Sequence, residues 1–590
     1  MKIYKSKVKS VTEELKTINK KYNSISFFRL VSIVLFLGSL YFYMQNSTIL
    51  FIGLAAVFFI AFIILMRFHS KLLFERKKSE ALLKINQEEI SYLESKALPF
   101  ENGQEFNDFH HPYVYDLDIF GEHSLFQNLN RTVTFIGKKT LAQQLLTLST
   151  NETILDNQEA TNELSEKLDW RQDFLALAKM SLDTKSSYEA LLQWSKFPIT
   201  PLPKWASIVS YVTPVLFLGT LIAYVVTSKV ILLSFLTYIF LVNLAILGNF
   251  FKRIQIEIAN AEDIDKVISQ YSLLLKKIEE ESFQSKKLTQ LQKRLKFKAD
   301  NASHHLKVLS ELFSNMDTVG NLLAASLFNG TFLFNLHVLK KLLSWKKEHA
   351  AMLEEWLEVI GEFEMLCSLG NFSYNNPDFV FPNLNSEFKI AFSNLSHPLL
   401  NEKTRVGNGV RFQPESFMIL TGSNMSGKST FLRSLGVNMV LSGMGSVVCA
   451  SEATVHPLPI LVSMRLSDSL SDSESYFFAE IKRLKQIMDA LEEQPAFVLL
   501  DEILRGTNSD DKRNGTIEVV KKVIAKKAIG AIATHDIEVC LTTNEYPDLL
   551  TNKCFEVEIQ NDELHFDYKL RDGICKNKSA TFLMKKMGVI

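Results

Sequence analysis

Four apolar runs constrain this 590-residue chain before anything else does. The first, ISFFRLVSIVLFLGSLYFYM, covers Ile25 to Met44. The second, ILFIGLAAVFFIAFIILM, covers Ile49 to Met66, and only QNST separates the two. A second pair runs from Ala206 to Val226 and from Val230 to Phe251, joined at Thr227–Lys229. Each run is close to the roughly 20 helical residues that cross a bilayer core. Buried helices of a soluble protein are the other way to use such runs, and the flanking charges argue against it. Seven lysines precede Ile25, and Arg67, Lys71, Arg76, Lys77 and Lys78 follow Met66. Lys204 stands before the second pair, and Lys252 and Arg253 after it. The positive-inside rule then puts both ends of each hairpin in the cytoplasm. The expectation is an integral inner (cytoplasmic) membrane protein with four spans and both termini cytoplasmic. Arg29 sits near the start of the first run, where it can snorkel to the headgroups. The polar stretch before Ile25 is too long for a secretory signal peptide, and no small-residue cleavage site follows.

Apolar residues make up 47 % of the chain, and the excess is concentrated in these runs. Basic and acidic side chains number 65 each, so net charge gives no argument for a nucleic-acid partner. The lysines of residues 1–24 point instead to anionic lipid, and the bilayer is an expected partner. Five cysteines without CxxC or paired spacing fit a reducing compartment, not a disulfide framework or a zinc site.

The remaining chain divides by pattern. Residues 1–24 form a basic segment, 25–66 the first hairpin and 205–251 the second. Residues 67–204 and 252–378 read as two parts of an all-α core and lever. In the second part, Ile264, Ile268, Tyr271, Leu275 and Ile278 follow a 4-3-4-3 spacing, the stripe of a coiled coil, a long helix pair or a packed bundle. From 379 to 590 short apolar strands alternate with helices. FMILTG, FVLLDE and AIGAIATHD each read as a buried strand ending in a polar loop, which implies an α/β domain with a parallel-containing sheet.

That domain carries the chemistry. Residues Gly422, Ser423, Asn424, Met425, Ser426, Gly427, Lys428, Ser429 and Thr430 contain G-x-x-x-x-G-K-[ST], between an apolar strand and a helical run. The glycines let backbone N–H groups close around phosphates, and the helix N-terminus adds partial positive charge. Lys428 is expected to reach the β- and γ-phosphates of ATP, and Ser429 to bind Mg²⁺. Asp501 and Glu502 end the FVLLDE strand. Asp501 would hold the Mg²⁺ through its water shell, and Glu502 would polarise the attacking water. His535, one strand later in ATHD, is placed to contact the γ-phosphate or that water.

Together these residues resemble the MutS family of ATPases, within the ABC superclass. TGSNMSGKST is similar to the family's TGPNMGGKST, with Ser423 and Ser426 in place of its Pro and Gly. LLDEILRGTNSDD resembles LxDExGRGTSTxDG, with Leu504 replacing a glycine, and ATHD resembles ATHY or ATHF. Ser475-Tyr-Phe-Phe-Ala-Glu480 resembles STFMxE, with Tyr476 for Thr. The resemblance implies that Ser475 reaches across a homodimer to the partner's γ-phosphate. SHPLL (396–400) resembles the family's RHPxxE. Leu129 to Leu146 and Trp356 to Asn376 resemble segments of its helical core. No mismatch-reading domain is expected ahead of the core, since only 24 residues precede the first run. Arg405 stands about where the family's adenine-stacking phenylalanine would be.

The expected function is a membrane-anchored, dimeric MutS-like ATPase that couples ATP hydrolysis to movement of helical levers. DNA enters as a partner by family resemblance alone. The alternatives are an ABC-type transporter, or an ATPase that regulates a membrane partner and has no DNA role. The spans hold almost no ionisable residue for a transport path. LSDSLSDSES also stands where a transporter's LSGGQ is expected.

Overall fold

Each apolar hairpin folds as a pair of helices. In the first, α1 (Lys2–Asn46) and α2 (Ile49–Leu93) have 45 residues each. Such helices are about 68 Å long, twice the roughly 30 Å of a bilayer core, so their far halves extend into the protein. Ser47 makes the turn in a left-handed conformation, donating its N–H to Tyr43 O at 2.8 Å. The second pair is α8 (Lys204–Thr227) and α9 (Val230–Ile258). All four helices are long and apolar enough to cross a membrane. The computed structural model describes residues 1–590 except 95–97, 181–182, 259–260, 298–299, 318–321, 424, 466–475, 561–562, 576–583, 585–586, 588 and 590.

Residues 1–24 are continuous with the first apolar helix. Lys5 pairs with Glu94 at 2.8 Å and Lys7 with Asp169, while buried Tyr4 donates to Asn375 Oδ1 at 2.9 Å. This differs from a stretch devoted to lipid: two of its lysines face carboxylates of the helical core.

Between the hairpins lie α3 (Leu125–Leu129), α4 (Phe135–Leu146), α5 (Asn151–Glu166), α6 (Leu168–Ala178) and α7 (Lys185–Lys196). Ser124, Thr134, Thr150 and Thr184 cap α3, α4, α5 and α7 by accepting from backbone N–H groups three residues on. Each such cap stabilises by ~1 kcal/mol. After the second hairpin come α10 (Ala261–Glu279), α11 (Lys286–Arg294), a small ribbon of β1 (Lys296–Phe297) and β2 (Asp300–Asn301), α12 (Ala302–Asp317), α13 (Leu322–Phe332) and α14 (Phe334–Asn375). The stripe Ile264, Ile268, Tyr271, Leu275 and Ile278 on α10 is buried, and α10 packs mainly on α12. Here the 4-3 spacing builds an intramolecular core.

Helix α14 binds the two halves of the core together, packing on α4, α5, α7 and α12. Its fully buried Glu364 accepts from Val133 N at 3.0 Å, from Thr134 N at 3.1 Å and from the Thr134 hydroxyl. A side chain at Gly137 would collide with this carboxylate. Burial raises the Glu364 carboxyl from 4.5 to about 7. The folded protein then holds a proton that the unfolded chain releases above the lower value. Stability therefore falls as pH rises through that window. Unfolding midpoints measured from pH 4.5 to 8 are expected to decline less steeply in Glu364→Gln than in the wild type. Parallel declines would show that Glu364 does not carry the effect.

The C-terminal α/β domain has a six-stranded sheet in the order β12 (Glu563–Asp572), β11 (Leu550–Gln560), β6 (Phe417–Gly422), β10 (Ile529–Ala533), β9 (Phe497–Asp501), β8 (Ile460–Ser463). All neighbours are parallel except the β11–β12 edge pair. Strands β6, β9 and β10 are buried along their whole length, as central parallel strands are. A second sheet pairs β3 (Asn383–Leu384), β7 (Glu452–Val455), β4 (Ile390–Leu395) and β5 (Asn408–Phe412) in that order. Helices α15 (Lys428–Met444), α16 (Tyr476–Glu493), α17 (Ser509–Ala525) and α18 (Ile537–Leu541) complete the domain. Arg465 joins it to the helical core, with both terminal nitrogens 2.5 Å from the Asp118 carboxylate.

Candidate nucleotide site

The sheet order brings three strand ends to one edge. β6 delivers the glycine-rich loop, and β10 and then β9 lie beside it in parallel register. Residues after the carboxyl ends of all three strands therefore meet at the start of α15. Gly427 makes the turn into that helix at φ 102, and a Cβ there would stand 3.1 Å from the Tyr568 ring. The helix begins at Lys428, so its first N–H groups and the positive end of its dipole face the loop.

Lys428 is buried and donates to Gly422 O at 2.9 Å and Ser423 O at 3.2 Å, folding back over its own loop. Its pKa is lowered, first by burial, against the opposing pull of Glu502 and Asp501. The Ser429 hydroxyl donates to Asp501 Oδ2 at 2.5 Å. Asp501 Oδ1 is buried and has no hydrogen-bond partner. Burial raises the Asp501 pKa, partly offset by the Ser429 bond. A buried, unsatisfied carboxylate oxygen beside a serine hydroxyl is a donor set for a hard divalent cation such as Mg²⁺. The hydroxyls of Ser423 and Ser426 are also buried and unpartnered.

Glu502 follows in a left-handed conformation, φ 47, which turns its side chain out of the strand. His535 Nε2 lies 2.8 Å from Glu502 Oε1 and 3.3 Å from Lys428 Nζ. The His535 hydrogen bond, aided by Arg505, holds the Glu502 carboxyl down at about 2, so it is ionised at neutral pH. Arg505 donates through Nε to Glu502 O at 2.9 Å, and its own N–H donates to Glu480 Oε2 at 2.9 Å. Glu480 thus ties the loop after Asp501–Glu502 to α16. Ser475, just before that helix, and Asn424 lie outside the described residues.

A cavity of about 590 Å³ opens on this cluster. Gly427, Lys428, Ser429, Thr430 and Glu502 line it, with His397, Leu400, Val406 and Tyr568 among the other walls. Burial pushes the His397 imidazole down to about 4, so it is neutral near pH 7. His397 belongs to the SHPLL segment noted in sequence. Tyr568 comes from the edge strand β12, far along the chain, and no local motif marked it. Arg405 does not line the cavity; it pairs with Asp378 and lies over the Phe379 ring, 5.0 Å from its centroid.

Residues 418–589 match MutS domain V. The chain is 28 % identical over 250 residues to human "MutS protein homolog 4", covering 40 % of this chain and 26 % of that protein. It is 29 % identical over 252 residues to the "DNA mismatch repair protein MutS" of Methanococcoides burtonii, covering 41 % of this chain and 28 % of the relative. The protein of the same name from Thermotoga neapolitana is 29 % identical over 237 residues, 39 % of this chain and 29 % of its own length. The chain thus spans under a third of the length of these relatives. The matches support kinship of the C-terminal part with the MutS family.

Proposed function

We propose that this chain is a membrane-anchored MutS-family ATPase that hydrolyses ATP as a homodimer and passes the change to its helical core. The convergence of Lys428, Ser429, Asp501, Glu502 and His535 at one end of a parallel sheet, in the part of the chain that matches MutS domain V, carries the reading. Lys428 exchanges its bonds to Gly422 O and Ser423 O for the β- and γ-phosphates. Residues 422–430 cradle those phosphates with backbone N–H groups. Ser429 and Asp501 would hold Mg²⁺, which supplies positive charge against the phosphate oxygens. Glu502 accepts the proton of the attacking water as its oxygen bonds to the γ-phosphorus and the bond to ADP breaks. His535 orients Glu502 and would contact the γ-phosphate. Ser475 completes the site of the partner subunit.

The four apolar helices support anchoring, and the basic flanks of both hairpins support a cytoplasmic placement of residues 379–590 and both termini. DNA is the cargo that the relatives' names suggest. The test is ATP turnover by the purified chain in nanodiscs, with and without duplex DNA at low salt, where phosphate contacts are strongest. The expected result is turnover that rises with DNA. Turnover indifferent to DNA would remove the DNA role and leave an ATPase whose partner is a membrane protein or lipid. Absence of turnover would overturn the reading.

A further inference from the structure

We propose that α13 and the start of α14 form a re-entrant element, which enters the bilayer beside the second hairpin, turns at mid-depth and leaves on the same side. The proposal rests on the reading of α8 and α9 as membrane spans. No Asp, Glu, Lys or Arg occurs between Asp317 and Lys340, a stretch the alternating polar residues disguise. Within it, α13 ends at Phe332 and α14 begins at Phe334, with Leu333 left-handed at φ 49.

Contacts along α9 fix the depth of this turn. Asn243 Nδ2 donates to Gly330 O at 2.8 Å, and any side chain on Gly330 would strike the Phe240 ring. Asn243 lies nine residues before Lys252 in the sequence, about 14 Å of helix and so near the middle of a ~30 Å hydrocarbon layer. The return is in step with α9. Lys346, thirteen residues beyond Leu333, meets Glu257, fourteen beyond Asn243, at 3.7 Å. On the other side, His337 Nε2 lies 2.7 Å from Ser210 O, and Lys340 reaches over the Tyr211 ring, near the charged start of α8.

The turn is built for a medium without water. Leu333 N donates to Asn329 O at 3.0 Å, and Asn335 N donates to the Asn329 side-chain oxygen at 2.9 Å. Asn243, Asn329 and Asn335 are all buried. The Asn243 and Asn329 side chains bond Gly330 O, Ala325 O and Asn335 N, backbone groups at the break, while Asn243 Oδ1 and Asn335 Oδ1 have no partner. The outward face is the opposite: Leu327 is 58 % exposed, Phe328 48 % and Phe332 39 %. It continues the apolar surface of α9, where Tyr238 and Leu241 are exposed. Lipid hydrocarbon is the occupant that matches this depth, this lack of charge and this continuity.

The test uses the full chain in nanodiscs with single cysteines at Leu327→Cys, Leu241→Cys and Lys347→Cys, labelled with a water-soluble maleimide and read by peptide mass. Lys347 is exposed beyond the turn. Loss of labelling is expected at positions 327 and 241, with rapid labelling at 347. A spin label at 327 is expected to be relaxed by oxygen and not by a water-soluble nickel chelate. Labelling at 327 with protection at 241 overturns the re-entrant element alone. Labelling at all three overturns the membrane reading of the hairpin itself. Protection at 327 from both oxygen and nickel means a protein covers this face, and the lipid assignment falls. In sealed vesicles, Ser314→Cys and Lys347→Cys must label from the same side; opposite sides would make the element a full crossing.

Discussion

Glu502→Gln is expected to lower ATP turnover by about 100- to 10,000-fold, the usual worth of a positioned general base, and to leave ATP binding intact. Glutamine keeps the length of the side chain and an oxygen that can accept from His535, so the loop geometry survives. What disappears is the charge. In the wild type the His535 bond and Arg505 keep Glu502 ionised far below neutral pH, with its pKa near 2. Few single changes at this site alter one property so cleanly. In the proposed mechanism Lys428 and Asp501 hold phosphate and cation, so their loss would mix binding with chemistry. Phosphate release measured beside equilibrium binding of labelled ATP separates the two. Unchanged release would transfer the base role elsewhere, with His535 the nearest titratable neighbour.

The second large effect concerns stability. Glu89 on α2 and Arg131, just before α4, form an ion pair whose side chains are 3 % and 5 % exposed. Asn371 and Asn375 of α14 each donate to Glu89 at 3.0 Å. Arg131 donates to Asn128 O and Asn130 O at 3.0 Å and lies over the Phe100 ring, 3.5 Å from its centroid. Glu89→Ala leaves a guanidinium buried without its counter-charge, and breaking such a pair costs roughly 3–5 kcal/mol. The expected readout is a large fall in the unfolding midpoint of the helical core in detergent. The double change Glu89→Leu with Arg131→Met is expected to recover much of that loss, because it removes both charges. If the double change is as damaging as the single one, packing and not charge pairing holds α2 to the core.

What could be read in sequence follows from how local each signal is. The apolar hairpins and the phosphate loop are contiguous, so run length and spacing suffice. Asp501, Glu502 and His535 were legible because each ends an apolar strand, and parallel strands share an edge. His397 enters the cavity from the loop after β4 in the smaller sheet and Tyr568 from the edge strand of the larger one, and only the packing of the two sheets joins them. The stripe on α10 was visible, but spacing alone does not say whether the facing helix belongs to this chain. Lys5 and Lys7 looked like lipid contacts because their carboxylate partners, Glu94 and Asp169, are remote in sequence. The apolar turn at α13 was hidden by Asn329, Gly330 and Asn335, residues that the break itself requires.

The division of the helical core around α8 and α9 has a consequence for biosynthesis. Thr134 and Arg171 leave the ribosome well before Glu364 and Asn371, their partners on α14. Between those partners in the chain lies a hairpin apolar enough to be taken up by a bilayer. Under the proposed anchoring, the first half of the core waits, with its apolar faces uncovered, until the hairpin is inserted and α10 to α14 are made. At about 5–20 residues per second that interval is on the order of ten seconds or more. Under that reading, folding of the core depends on the timing of membrane insertion. Slowed insertion should then show first as aggregation of the nascent helical core, before any loss in the C-terminal domain.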